Sequence, residues 1–329
     1  MRRNLILFLI FGLALGGVVP GVGLWAVRSF QATGPLAQDR TLIIERGSGT
    51  KSIARQLQQA SVIDNSLIFQ LGARWLSGRE PMKAGEYLFA RHISAAAAVR
   101  LLQSGKTVVR RVTLAEGLTT AEIVDLLVQT DGLTGSISPV PAEGALLPET
   151  YHFSYGDSRQ QLIDRMTTAR DKLLHTLWSG RAADLPLDTP EQAVILASVV
   201  EKETGQADER AKVAAVFLNR LRRNMRLQSD PTVAYGITVG RVPLGRSLSR
   251  DDLKTATPFN TYIVKGLPPA PIANPGREAI RAVLHPADST DLYFVADGSG
   301  GHVFARTLAQ HNRNVARWRK FLRQRQNGN

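Results

Sequence analysis

The feature that most constrains the fold is a stretch of eight residues without an ionisable side chain, Ala193-Val194-Ile195-Leu196-Ala197-Ser198-Val199-Val200. Before it, Thr189-Pro190-Glu191-Gln192 supplies a capping hydroxyl, a proline suited to the first helical position and a Gln that can close a capping box. After it comes Glu201-Lys202-Glu203-Thr204-Gly205. A helix that is apolar on every face has to be surrounded, so the sequence predicts a buried central helix with two acids at its end. With 43% hydrophobic and 21% charged residues the chain can build the core this needs. Its 329 residues give room for about two folded units.

A carboxylate that leaves such a helix is desolvated. Desolvation raises its pKa and keeps a proton on it near neutrality, as a general acid for glycosidic cleavage requires. Helical geometry puts Glu201 on the face of Val194, Ala197 and Ser198, where small side chains leave room for a ligand. Glu203 lies over Leu196, Val199 and Val200. Periodicity alone does not choose between the two, and either acid can instead pair with Lys202, Arg210 or Lys212. Farther along, Gln228, Asp230 and Asn260 can hydrogen-bond sugar hydroxyl and acetamido groups, and Tyr151, Tyr235 and Tyr262 offer flat apolar faces. Asp230-Pro231 and Asn274-Pro275 are also ordinary turn formers.

Other chemistries are excluded by what is missing. The chain has no cysteine, so there is no disulfide framework, thiol nucleophile, zinc finger or iron–sulfur site. Gly47-Ser48-Gly49-Thr50-Lys51-Ser52 lacks the Gly-Lys pair of a phosphate loop, and neither G-x-S-x-G nor H-E-x-x-H occurs. His285, His302 and His311 have no metal-ligand spacing. No metal and no cofactor are expected.

At the N-terminus, Leu5 to Val27 is a run of 23 residues without a charge. As a helix it reaches about 34 Å, enough to cross a bilayer. Arg2 and Arg3 precede it and Trp25 lies near its far end, so residues 1–4 are expected in the cytoplasm and the bulk beyond the inner membrane, in the periplasm. The run is longer than the apolar region of a cleaved signal peptide. That location bears on the net charge of +13. Nucleic acid, the usual partner of so basic a chain, is not expected there, and anionic lipid or cell-wall polymer is. The basic tail, Arg313, Arg317, Arg319, Lys320, Arg323 and Arg325, reads as a solvated helix.

The organisation that follows is a transmembrane helix at 5–27, a linker at 28–40, a small α+β module at 41–105 and a mixed α+β domain at 106–329. In the module Leu42-Ile43-Ile44 reads as a strand and Thr50 as the cap of a helix with Ile53, Ala54 and Leu57 inward. Ser66 is expected to cap a second helix, Lys83 to Phe89 to form a strand, and Ser94 to cap a helix ending at Gly105. In the second domain a helix is expected from Arg159 to Trp178. Asp208 is expected to cap a helix with Val213, Val216, Phe217 and Leu221 on one face. Turn-rich segments follow at 228–232, 259–262 and 266–276. Leu292–Ala296 and His302–Ala305 read as a hairpin around Asp297-Gly298-Ser299-Gly300-Gly301.

Six phrases in this order carry a resemblance: Glu201-Lys202-Glu203-Thr204; Arg226-Leu227-Gln228-Ser229-Asp230-Pro231-Thr232; Asn260-Thr261-Tyr262; Gly266-Leu267-Pro268-Pro269 with Pro271-Ile272 and Asn274-Pro275-Gly276; Tyr293-Phe294-Val295; and Gly301-His302. Together they resemble the endolytic murein transglycosylases, the YceG-like family, over nearly the whole chain, although Ala270 stands where that family usually has glycine. The resemblance implies that module 41–105 is a LysM-like peptidoglycan-binding unit. It implies a lytic transglycosylase that cuts the bond between N-acetylmuramic acid and N-acetylglucosamine within glycan strands and leaves 1,6-anhydro ends, so terminating strand growth. It makes Glu201, the first Glu of the Glu-Lys-Glu stretch, the catalytic residue. Gln228, Asp230, Thr232, Asn260 and Tyr262 are the candidate substrate-binding residues. Peptidoglycan synthases are the partners it implies. The rival expectation is a non-enzymatic, membrane-anchored scaffold that only binds the wall.

Overall fold

The structure, a computed structural model, describes residues 21–76 and 80–327. The expected tail at 1–4 and most of the expected membrane helix at 5–27 lie outside the described residues. Residues 21–31 are helical (α1). Among the described residues no helix is long and apolar enough to cross a membrane. The chain divides into two compact units, residues 1–110 with 152–156, and residues 111–151 with 157–329.

After α1 the first unit runs β1 (Arg40–Ile44), α2 (Thr50–Gln59), α3 (Ser66–Leu76), β2 (Gly85–Phe89) and α4 (Ala95–Ser104). β1 and β2 pair antiparallel, with Leu42 opposite Tyr87. The expected inward positions Ile53, Ala54 and Leu57 are all buried, against Phe69, Ala73, Tyr87, Phe89 and Leu102. Ser94 caps α4 by accepting from the Ala97 amide, and Gly105 ends the helix at φ 70°, which glycine adopts without steric cost. Two caps differ from expectation. Gly49, not Thr50, is the first cap. Asn65, not Ser66, caps α3, its Oδ1 accepting from the amides of Leu67 and Ile68. A cap needs extended backbone, which Gly49 supplies without a side-chain bond, and Asn65 adds the acceptor turned back over the first turn.

The division between the units falls within β3 (Val109–Thr113), and α5 (Thr120–Gln129) follows, closed by a capping box of Thr119 and Glu122. β4 (Leu133–Thr134), β5 (Thr150–Ser154) and β6 (Asp157–Ser158) complete two small ladders, β3 with β5 and β4 with β6. Three helices come next: α6 (Arg159–Ser179), α7 (Pro190–Glu203) and α8 (Arg210–Arg222). α7 is the predicted central helix: Ala193, Val194, Leu196, Ala197, Val199 and Val200 are at most 3% exposed. α8 starts after Glu209, and Asp208 makes no cap. Among the described residues two helices were not expected. The segment read as a turn at 228–232 leads into α9 (Asp230–Thr238), and α10 (Arg277–Leu284) follows the proline-rich stretch. α10 packs against both α7 and α8, burying Ala279, Ile280, Val283 and Leu284. Proline and Asp in the first turn of α9 are the start signal that announces it. The hairpin is present as β7 (Tyr293–Ala296) and β8 (His302–Ala305), antiparallel, and α11 (Leu308–Asn327) is the basic terminal helix. The architecture is mixed α+β, as the sequence predicts.

Candidate active site

The end of α7 sends its two acids into different surroundings. The face carrying Glu201 is packed against a backbone segment. Ser198 is fully buried, and its hydroxyl accepts the Ile272 amide at 3.0 Å. Pro271 lies over Gly144, where a Cβ would come within 2.6 Å of its ring. The backbone of residues 271–276 runs past Ser198 to Glu201. At the end of that run the Gly276 amide, the cap of α10, donates to Glu201 Oε2 at 2.8 Å. An Arg210 Nη sits 3.6 Å from Glu201 Oε1 and 3.5 Å from Glu116. The Glu201 side chain is 5% exposed. Its pKa is raised by burial first, opposed by the Gly276 amide and by the Arg210 and Lys202 charges, with Glu116 adding to the rise. A carboxylate at a helix N-terminus satisfies an orphan amide and meets the positive end of the dipole. Glu201 is a brace between α7, α8 and α10.

Glu203 faces the other way, into a cavity of about 550 Å³. Gln228, Asp230 and Tyr262 line the same cavity, with Arg220 and Tyr293 beside them. Glu203 Oε1 accepts from the Ser229 hydroxyl at 2.5 Å. Burial pushes its pKa up to about 7; the Asp230 charge adds to this, while the Ser229 bond and the His302 and Arg220 charges oppose it. Desolvation is the larger effect because the nearby cations are held elsewhere. Arg220 donates to the carbonyls of Leu292 at 2.6 Å and Leu227 at 2.7 Å. His302 Nδ1 is 2.7 Å from Glu209. A carboxyl that titrates near 7 beside an open cavity is poised for general acid–base work.

Three of the five expected substrate-binding residues are brought together here and two are not. Gln228 sits at φ 51°, and its side-chain oxygen accepts from Arg220 at 3.3 Å. Tyr262 donates to Asp230 Oδ1 at 2.6 Å, and burial raises the phenol's pKa. Thr232 and Asn260 are fully buried. Thr232 Oγ1 bonds the Ser229 carbonyl at 2.6 Å and the Thr261 hydroxyl at 2.8 Å. Asn260 donates to the carbonyls of Leu253 at 3.1 Å and Thr255 at 2.8 Å and accepts the Tyr262 amide at 2.9 Å. Buried polar groups must be paired, and every one of these bonds fixes the loops that present Gln228, Asp230 and Tyr262. Their work is to hold the site's wall.

Other tyrosines lie outside this cavity. Tyr235 donates to Glu143 at 3.3 Å, and burial with that carboxylate pushes its pKa up to about 12. Tyr151 is pushed equally far, mostly by burial, and donates to the Leu147 carbonyl. Arg220 and Tyr293 were missed by sequence reasoning. The signal for Arg220 was a lone charge on the apolar stripe of α8, in step with Val213, Val216 and Phe217. Such a charge has to be paired or coordinating. Among the described residues no cluster of His, Cys, Asp and Glu could hold a metal ion.

The family model of the YceG-like family matches residues 42–317, which include most of both units' cores and the whole cavity. The chain belongs to the YceG-like family. It is 29% identical over 323 residues to a Streptococcus pneumoniae protein named endolytic murein transglycosylase, covering 84% of this chain and 58% of that one. A Bacillus subtilis protein of the same name is 30% identical over 305 residues, 82% of each. The chain thus spans little more than half of its pneumococcal relative. A crystal structure of a YceG-like protein from Listeria monocytogenes is similar, with 29% identity and a TM-score of 0.52 over 84% of this chain and 99% of that one.

Proposed function

We propose that this YceG-like chain is a lytic transglycosylase of peptidoglycan, anchored in the inner membrane through residues 5–27 with its bulk in the periplasm. The observation that carries the activity is Glu203: a carboxyl with a pKa of about 7, at a cavity walled by Gln228, Asp230 and Tyr262. The names of the pneumococcal and Bacillus relatives supply the substrate class. We assign to Glu203 the acid–base role that the resemblance implies for Glu201, because the Gly276 amide and Arg210 engage the Glu201 carboxylate.

Glu203 protonates the glycosidic oxygen between the N-acetylmuramic and N-acetylglucosamine units, and the leaving sugar departs. The same carboxylate then takes the proton of the muramoyl 6-hydroxyl as that oxygen attacks its own C1. The 1,6-anhydro ring closes, no water is consumed, and Glu203 regains its proton. The Asp230 anion favours the protonated start of the cycle and faces the positive charge that develops at C1. Tyr293 and Tyr262 supply sugar-facing rings, and Gln228 a hydrogen-bonding amide.

Module 41–105 acts as a LysM-like wall-binding unit, and peptidoglycan synthases that release fresh strands are the partners this reaction implies. The test is mass spectrometry of purified peptidoglycan digested by the full chain in detergent. Anhydro-muramoyl ends support the reading. Reducing ends carrying heavy oxygen from labelled water mean hydrolysis, and an undigested polymer leaves a wall-binding scaffold.

A further inference from the structure

α3 turns Phe69 and Ala73 into the core of the first unit and leaves Leu67, Leu71 and Trp75 outside, 66%, 62% and 73% exposed. Positions four apart stack on one face of a helix, so these three form a single apolar stripe. α1 shows the same exposure at Val22, Leu24, Trp25 and Val27. Single exposed apolar residues are ordinary, but a stripe of this kind marks a contact surface.

The two exposed surfaces adjoin. Phe30 of α1 packs on α3 at Gly72, where a Cβ would meet its ring at 2.3 Å. Trp25 and Ile68 line one cavity of about 310 Å³. The stripe of α3 is therefore fixed next to the end of the uncharged run Leu5–Val27. We infer that α3 is an interfacial helix, and that its Leu67–Leu71–Trp75 face rests in the surface of the bilayer which that run enters. The inference rests on the proposed anchor.

The chemistry suits a lipid surface better than a protein one. Tryptophan concentrates at the headgroup level, where its ring is half in hydrocarbon and its N–H stays wet. Amphipathic helices lie in the interface plane with leucine and tryptophan on the lower face. The continuity with an uncharged 23-residue run selects a bilayer over a second copy of the chain. A tether at α1 alone would leave the first unit free to swing; a second contact through α3 holds it flat on the membrane.

The chain has no cysteine, so single labels can be placed cleanly. Leu71→Cys, Trp75→Cys and, on exposed α2, Arg55→Cys are each made in the full chain, spin-labelled and reconstituted in vesicles containing anionic phosphatidylglycerol. Flotation with the vesicles is read first. Collision rates with lipid-soluble oxygen and with a water-soluble nickel chelate are read second. The expected result is that oxygen dominates at 71 and 75 and nickel at 55. Nickel dominating at all three positions in a chain that floats overturns the inference and leaves the anchor intact. Protection from both reagents at 71 and 75 means a protein covers the face, a second copy if it vanishes on dilution, and also overturns it. A chain that fails to float refutes the anchor and this contact together.

Discussion

Glu201 and Glu203 stand two residues apart on one helix, yet the regions they enter have opposite characters. Both carboxylate oxygens of Glu201 are engaged. The Gly276 amide and Arg210 hold the carboxylate, and a close-packed backbone segment fills the helix face leading to it. Around Glu203 one hydroxyl donates, the nearest cations are committed to other acceptors, and a cavity opens. The first arrangement makes a carboxylate useful for holding helices together. The second leaves it able to gain and lose a proton. Burial is common to both; what separates them is whether partners consume the charge.

The sharpest way to break this comparison is to exchange the acids' chemistry. Glu203→Gln keeps the shape and the Ser229 bond but carries no proton. Strand cleavage should fall by at least about 10²–10⁴, since general acid–base assistance is worth that much, and both steps fall on one residue. Release of soluble fragments from purified peptidoglycan measures it. If Glu203→Gln cleaves normally, the site is elsewhere.

The same variant sharpens the comparison through pH. The folded pKa of Glu203, about 7, lies above its ordinary value of 4.5, so the native chain holds an extra proton between those values. Stability therefore falls as pH rises from about 4.5 through about 7, then levels off. Glu203→Gln removes that loss. Above neutrality it should be more stable than the parent by up to about 3 kcal/mol, less what solvent in the cavity screens. Below about pH 4.5 the difference should vanish. Urea unfolding at the two extremes reads this out. Parent activity should decline through about pH 7 as the acid loses its proton.

Glu201→Ala tests the other half. It orphans the Gly276 amide and leaves Arg210 with Glu116 alone, and stranding a buried donor costs about 1–3 kcal/mol. The expected outcome is a lower unfolding midpoint, with cleavage by the folded fraction reduced less than about tenfold. A loss as deep as that of Glu203→Gln at unchanged stability would restore Glu201 as the acid. Tyr262→Phe should have the smallest effect. It removes the phenol hydroxyl that holds Asp230 and leaves the ring. A hydrogen bond to a charged group is worth about 1.5–3 kcal/mol when buried, and solvent in the cavity takes most of that. A rise in KM at nearly constant kcat is expected.

Much of the scaffold is legible in the chain itself. The apolar run at 193–200, with its cap and proline, specifies a buried helix, because no arrangement exposing those side chains competes with one that buries them. The Ser94 cap, the Gly105 stop and the Gly-rich hairpin follow from equally local chemistry. Helices α9 and α10 escaped because prolines and glycines nearby read as turns, and what stabilises α10 is its packing on α7 and α8, contacts far away in sequence.

The candidate site divides in the same way. Sequence alone determined that two carboxylates would emerge from a buried helix and that Gln228, Asp230 and Tyr262 would be presented by segments after it. It could not determine which acid meets the cavity. The small residues Val194, Ala197 and Ser198 look identical as a ligand's floor and as a groove for a backbone segment 73 or more residues away, and the tertiary structure put residues 271–276 there. Nor could it separate Thr232 and Asn260, which spend their polar atoms on backbone and neighbouring hydroxyls, from Gln228 and Tyr262, which turn to the cavity. Residue type fixes what a side chain can bond. Only the packing of distant segments decides which partner arrives first.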